Sequence, residues 1–109
     1  MRDFIDIAGA SGVSYRFSRL REGRPLSPMG GNYAYVRFTG DRFELIYVGE
    51  SQNLLRSARD HWDDAADRFQ VRELFTRLNI SERVRQKELA DIVAASSPPM
   101  NAETVRKAE

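Results

Sequence analysis

The stretch Gly31-Asn32-Tyr33-Ala34-Tyr35-Val36-Arg37-Phe38-Thr39-Gly40-Asp41-Arg42-Phe43-Glu44-Leu45-Ile46-Tyr47-Val48-Gly49 decides the fold. Residues 32–38 are rich in aromatic and β-branched types, which suit a pleated, half-buried surface. Thr39-Gly40-Asp41-Arg42 is a turn signal: glycine reaches positive φ, and aspartate bonds nearby backbone. Residues 43–48 then repeat the strand composition, so the stretch predicts a β-hairpin. Side chains alternate along a strand, and directly opposed residues share a face. With Tyr33 opposite Tyr47, Tyr35 opposes Leu45 and Arg37 opposes Phe43. That register needs an odd-numbered loop around Gly40 and leaves Ala34, Val36, Ile46 and Val48 on the other face.

Beyond the hairpin, Gly49 ends the second strand, and Ser51 fits as a helix N-cap with Asn53 as a later alternative. Leu54, Leu55 and Ala58 supply an apolar stripe for a helix to about Trp62, and Asp63 to Phe69 reads as a loop or short helical turn. Residues 71–78 fit both periods: Leu74, Thr76 and Leu78 suit a strand, while Val71, Leu74, Phe75 and Leu78 suit a helix. Asn79 and Glu82 have capping-box spacing. A helix from about Ser81 then turns Val84, Leu89, Ile92 and Val93 inward, and Pro98 and Pro99 stop it. Residues 102–109 read as a solvated tail. Upstream, glycines and prolines punctuate residues 1–30, which read as an extension with one short strand over Ser14–Leu20.

The 109 residues fit one domain, and 41% hydrophobic with 30% charged residues is a globular balance. No apolar run approaches the roughly 20 residues of a membrane-spanning helix. The first residues are too polar for a secretory signal, so a cytoplasmic protein without membrane attachment is expected. Absence of cysteine excludes disulfides and thiolate metal sites. Net charge is +1, yet fifteen of the seventeen basic residues are arginine, whose planar fork suits phosphate and carboxylate. Asp60, Asp63, Asp64 and Asp67 make one stretch acidic.

One ordered set of residues points to chemistry. Gly31-Asn32-Tyr33 opens the hairpin and Tyr47-Val48-Gly49 closes it; Ser51, Asn53 and Leu54 start a helix that ends at His61. Glu88 lies in the last long helix, and Pro99-Met100-Asn101 follows. This order resembles the GIY-YIG nuclease family over residues 31–101, about two-thirds of the chain. The resemblance implies an α+β fold: a small antiparallel sheet, made of the hairpin and a third strand, flanked by helices. In this chain an N-terminal strand segment is added, residues 71–78 become the third strand, and 102–109 the tail. It also implies divalent-metal-dependent hydrolysis of a DNA phosphodiester. Tyr33 and Tyr47 would position or deprotonate the water, Glu88 would hold Mg²⁺ or another divalent cation, His61 matches a site histidine or tyrosine, and Asn101 an ordering asparagine. Gly49 and Ser51 match positions around the site.

The sequence departs from the family in three places. Asn32 stands where an aliphatic residue is usual. The family's helix arginine falls at Ser57, with Arg56 and Arg59 pointing about 100° and 160° away at 3.6 residues per turn; a one-residue shift brings Arg56 into place. Glu50 puts negative charge where relatives carry lysine or serine. Two expectations follow: a DNA endonuclease with a degenerate catalytic set, using Arg56, or a catalytically inactive domain of this fold that binds nucleic acid or a protein partner.

Overall fold

A computed structural model describes residues 2–108, with side chains through Glu103. The hairpin forms as β3 (Gly31–Thr39) and β4 (Arg42–Ser51). Thr39 pairs with Arg42, so the loop is Gly40-Asp41, with Gly40 at φ 62° as a two-residue hairpin turn demands. A two-residue loop alone would set Tyr33 and Tyr47 on opposite faces. A bulge restores the parity: Tyr35 pairs with Tyr47 and Val36 with Leu45, which leaves Ile46 as the extra residue. The expected register is therefore corrected by two residues, with Tyr33 opposite Gly49. Ile46 turns to the tyrosine face and Leu45 to the other, the reverse of the expectation for Ile46.

Residues 71–78 supply β5 (Glu73–Leu78), antiparallel to β3 from Gly31↔Leu78 to Val36↔Glu73. Leu74 enters the core on one face and Phe75 the core on the other. A strand buried on both sides loses alternation, which is why periodicity did not separate strand from helix here. The N-terminal region holds two strands, not one: β1 (Phe4–Ala8) and β2 (Ser14–Arg19), paired antiparallel. β2 also pairs with β5, so the sheet runs β1-β2-β5-β3-β4. The expected small sheet is in fact five-stranded, and residues 1–30 build two-fifths of it. Ile5 and Ile7 alternating with Asp6 carried the missed signal.

Helices cover both faces. The predicted single helix to Trp62 breaks into α1 (Leu54–Ser57) and α2 (Trp62–Phe69). Asn53, the later of the two expected caps, and not Ser51, caps α1 by accepting from the Arg56 N–H. Asp63 and Asp64 occupy the first turn of α2, where the helix dipole favours acids, so of the two expectations for residues 63–69 the helical one holds, as a helix of eight residues. α3 (Glu82–Ser96) begins at Ser81, whose Oγ accepts from the Val84 N–H. It buries Ile92 and packs Leu89 and Val93 against the core, whereas Val84 is exposed and Arg85 is buried instead. Residues 102–108, expected as a tail, continue α4 (Pro99–Ala108), with proline at its first position. One core, with α3, contains Ile5, Phe17, Ala34, Val36, Val48 and Phe75; the other, with α1, α2 and α4, contains Tyr33, Tyr35, Ile46, Leu54, Ala65 and Leu74. Among the described residues no helix is long and apolar enough to cross a membrane.

Candidate functional site

Odd-numbered positions at the start of β3 project Tyr33 and Tyr35 to one face, and the bulge adds Tyr47. The three rings form a triangle with centroids 5.7, 6.0 and 5.5 Å apart. Tyr33 packs on Gly49: a Cβ there would lie 2.5 Å from its hydroxyl and Cζ. The glycine of the second triplet is thus required by the aromatic ring opposite it. Tyr35, which sequence reasoning did not single out, is the anchor. Its hydroxyl donates to the Ala58 carbonyl at 2.7 Å and accepts from the His61 N–H at 3.3 Å, tying down the turn between α1 and α2. His61 therefore precedes a helix rather than ending one, and its ring meets Tyr47 edge-on at 5.3 Å. The spacing of two from Tyr33 was the available signal for Tyr35, since it fixes a shared face.

Burial pushes all three phenols above their ordinary pKa, most strongly Tyr33, to which Tyr47 and Tyr35 add. The Asp60 charge raises each of them further. All three are therefore neutral at pH 7, hydrogen-bonding groups rather than bases. Ser57 is half-buried and Arg56 exposed at the helix surface, so no guanidinium stands at the position expected beside the tyrosines. The Arg59 charge acts on Tyr35 with the opposite sign.

Glu88 is not brought to the tyrosines. It projects from α3 on the opposite face of the sheet, where Arg77 Nε donates to its Oε1 at 2.8 Å and Asn79 Nδ2 at 3.1 Å. Arg77 lies in turn over the Tyr15 ring. Asn79 also donates to Asn32 Oδ1, and Asn32 Nδ2 donates to the Arg85 carbonyl, both at 3.1 Å. Asn32 is fully buried, so its departure from an aliphatic residue has a structural cause. The same network answers Glu50. The buried Arg85 donates to its carboxylate at 2.9 Å and to the carbonyls of Asn79 and Ile80. Arg85 and Glu88, three residues apart on α3, do not pair with each other; each takes a partner from a strand, Glu50 of β4 and Arg77 of β5.

Ser51 Oγ accepts from the Asn53 N–H at 2.9 Å and shapes the entry to α1. Asn101 closes the free edge of β4: its Oδ1 accepts from Val48 N–H at 2.9 Å, and its Nδ2 donates to Val48 O at 2.8 Å. Both act on backbone, as ordering residues.

The donor chemistry does not fit a divalent cation at Glu88. Both carboxylate oxygens face a guanidinium, which a dication would have to displace. Among the described residues no group of three or more His, Asp or Glu side chains could hold a metal ion.

No known relative emerges from comparison. The chain matches no family model, no curated protein and no solved structure.

Proposed function

We propose that this chain is a divergent domain of GIY-YIG type that binds nucleic acid without cleaving it. The observation that carries the reading is the division of the expected catalytic set by the sheet. Tyr33, Tyr47 and His61 share one face, while Glu88 is bonded to Arg77 and Asn79 on the other. Phosphodiester hydrolysis needs a nucleophilic water, a base and positive charge aimed at the developing phosphorane. Here the phenols are neutral, the Asp60 charge raises the pKa of all three, and Ser57 stands at the arginine position. Supporting the family reading are a hairpin with paired tyrosines, an Asn53-capped helix start, an antiparallel third strand and Asn101 on the Tyr47-Val48-Gly49 strand. Supporting a nucleic-acid partner is the arginine-rich composition, with Arg56 and Arg59 exposed beside the tyrosine face.

The test is incubation of purified protein with DNA and Mg²⁺, alongside a binding titration at several salt concentrations. The expected result is no cleavage above background, with binding that weakens as salt rises because phosphate contacts release counterions. Mg²⁺-dependent cleavage that Glu88→Ala abolishes would overturn this reading in favour of an endonuclease. Absence of both binding and cleavage would overturn it in favour of a protein partner.

A further inference from the structure

Four arginines converge on one groove of about 290 Å³ on the tyrosine face of the sheet. Arg21 and Arg24 reach it from the β2–β3 connection, Arg59 from the turn before α2, and Arg72 from the approach to β5. Trp62, half-buried and edge-on to Tyr35 at 5.3 Å, forms part of the wall. Glu22 and Glu73 also border the groove; with Arg21 answered by Asp3, the other three arginines and the two glutamates leave a formal +1. Outside the groove, Arg16, Arg19, Arg37, Arg68, Arg77 and Arg85 each form an ion pair, whereas Arg2, Arg42, Arg56 and Arg83 form none among the described residues but are scattered over the fold rather than gathered on one cavity. In the groove only Arg21 does, at 3.5 Å to Asp3; Arg24, Arg59 and Arg72 have no carboxylate partner among the described residues. Collecting like charges without counter-ions opposes folding, and a bound anion would relieve it.

We propose that this groove is a phosphate-monoester site, taking the terminal phosphate of a nucleic-acid strand or of a free nucleotide. The inference deepens the nucleic-acid reading above and rests on it for the strand-end form. A monoester carries close to two negative charges at neutral pH and three acceptor oxygens, which can engage the guanidinium forks of Arg24, Arg59 and Arg72 together, more fully than a singly charged diester. Trp62 in the groove wall offers a stacking surface for the base of the nucleotide that carries the phosphate.

Trp62 is the only tryptophan, so its fluorescence reports on this wall alone. The experiment titrates the protein with three single-stranded oligodeoxynucleotides of one sequence, phosphorylated at the 5′ end, at the 3′ end or at neither, and with a nucleoside monophosphate. One terminal phosphate is expected to tighten binding about tenfold or more, since charge-assisted bonds are roughly twice as strong as neutral ones. Arg24→Ala combined with Arg59→Ala is expected to remove that preference; both side chains are exposed, and an unchanged melting curve confirms the fold. A nucleoside monophosphate that binds as tightly as the phosphorylated strand assigns the free nucleotide as source and supports the site. If neither unmodified nor phosphorylated strands bind while the monophosphate does, the site stands and the nucleic-acid reading falls. Strands that bind equally with and without a terminal phosphate, or a double variant that keeps the preference, overturn the site and leave the nucleic-acid reading intact.

Discussion

Gly49 is where a single atom matters most. A methyl group there would sit 2.5 Å from the Tyr33 ring, and that ring is 5% exposed and wedged against Tyr35 and Tyr47. It has nowhere to move, so Gly49→Ala is expected to destabilise the fold by about 1–3 kcal/mol, the range for an overpacked core. Denaturant unfolding checks this; an unchanged midpoint would mean that the ring yields. Asn101 poses the converse case. Its amide meets both polar groups of Val48 on the outer side of β4, as a paired strand would. Asn101→Ala leaves those groups to water or unpaired, at a cost of about 1–3 kcal/mol. Asn101→Asp keeps the acceptor but loses the donor and is expected to recover at most part of it, read from the same unfolding curves.

At the scale of elements, the β1–β2 turn is clamped to α3 by one carboxylate. Asp91 accepts from Ser11 N–H at 2.8 Å, Ser11 Oγ–H at 2.6 Å and Tyr15 O–H at 2.7 Å. Those bonds, the Ser11 side chain first and Tyr15 next, hold its carboxyl below the ordinary carboxylate range. A group whose folded pKa lies below its unfolded value contributes stability fully above the unfolded value and loses it as pH falls through the folded one. Wild type is therefore expected to exceed Asp91→Asn in stability at neutral pH, with the gap closing in acid below the ordinary aspartate pKa of about 3.9. Melting curves across pH read this directly, and a gap constant with pH would exclude the carboxylate as its cause. The two helix caps are simpler. Ser81→Ala removes the acceptor for the Val84 N–H and is expected to cost about 1 kcal/mol.

For the whole molecule, the polar network at the base of β3 joins parts that are far apart in sequence. Arg85 of α3 holds Glu50 of β4 and the carbonyls after β5, and Asn32 of β3 links Asn79 to the α3 backbone. Arg85 is 4% exposed, so Arg85→Ala leaves a partly buried Glu50 without its counter-ion, and a loss of about 3–5 kcal/mol is expected. Arg85→Ala combined with Glu50→Gln is expected to lose less than Arg85→Ala alone; an equal loss would locate the cost in the carbonyls. A larger consequence concerns residues 1–30. Ile5, Ile7, Tyr15 and Phe17 form much of the core under α3, and β2 covers one edge of β5. A chain of residues 31–109 is therefore expected not to fold cooperatively, judged by loss of a sharp thermal transition.

Local physics was legible in the sequence, and long-range parity was not. The hairpin, its turn at Gly40, the Asn53 and Ser81 caps and the stop before Pro98 all depend on neighbours within four residues, which the sequence displays. The shared face of Tyr33 and Tyr47 was readable too, though it arises from an even loop plus a bulge rather than an odd loop. A bulge conserves composition while reversing parity, so Ile46 and Leu45 exchanged faces unseen. β5 agrees with the third strand expected from the resemblance, whereas its period alone did not decide, because Leu74 and Phe75 are buried on opposite faces. The side of the sheet to which Glu88 belongs was decided only by tertiary structure. The roll of α3 is set by Leu89, Ile92 and Val93 packing on β1 to β5, and that packing turns Glu88 towards Arg77. Residue identity specifies which groups are available for a site; the packing of distant strands determines which of them meet.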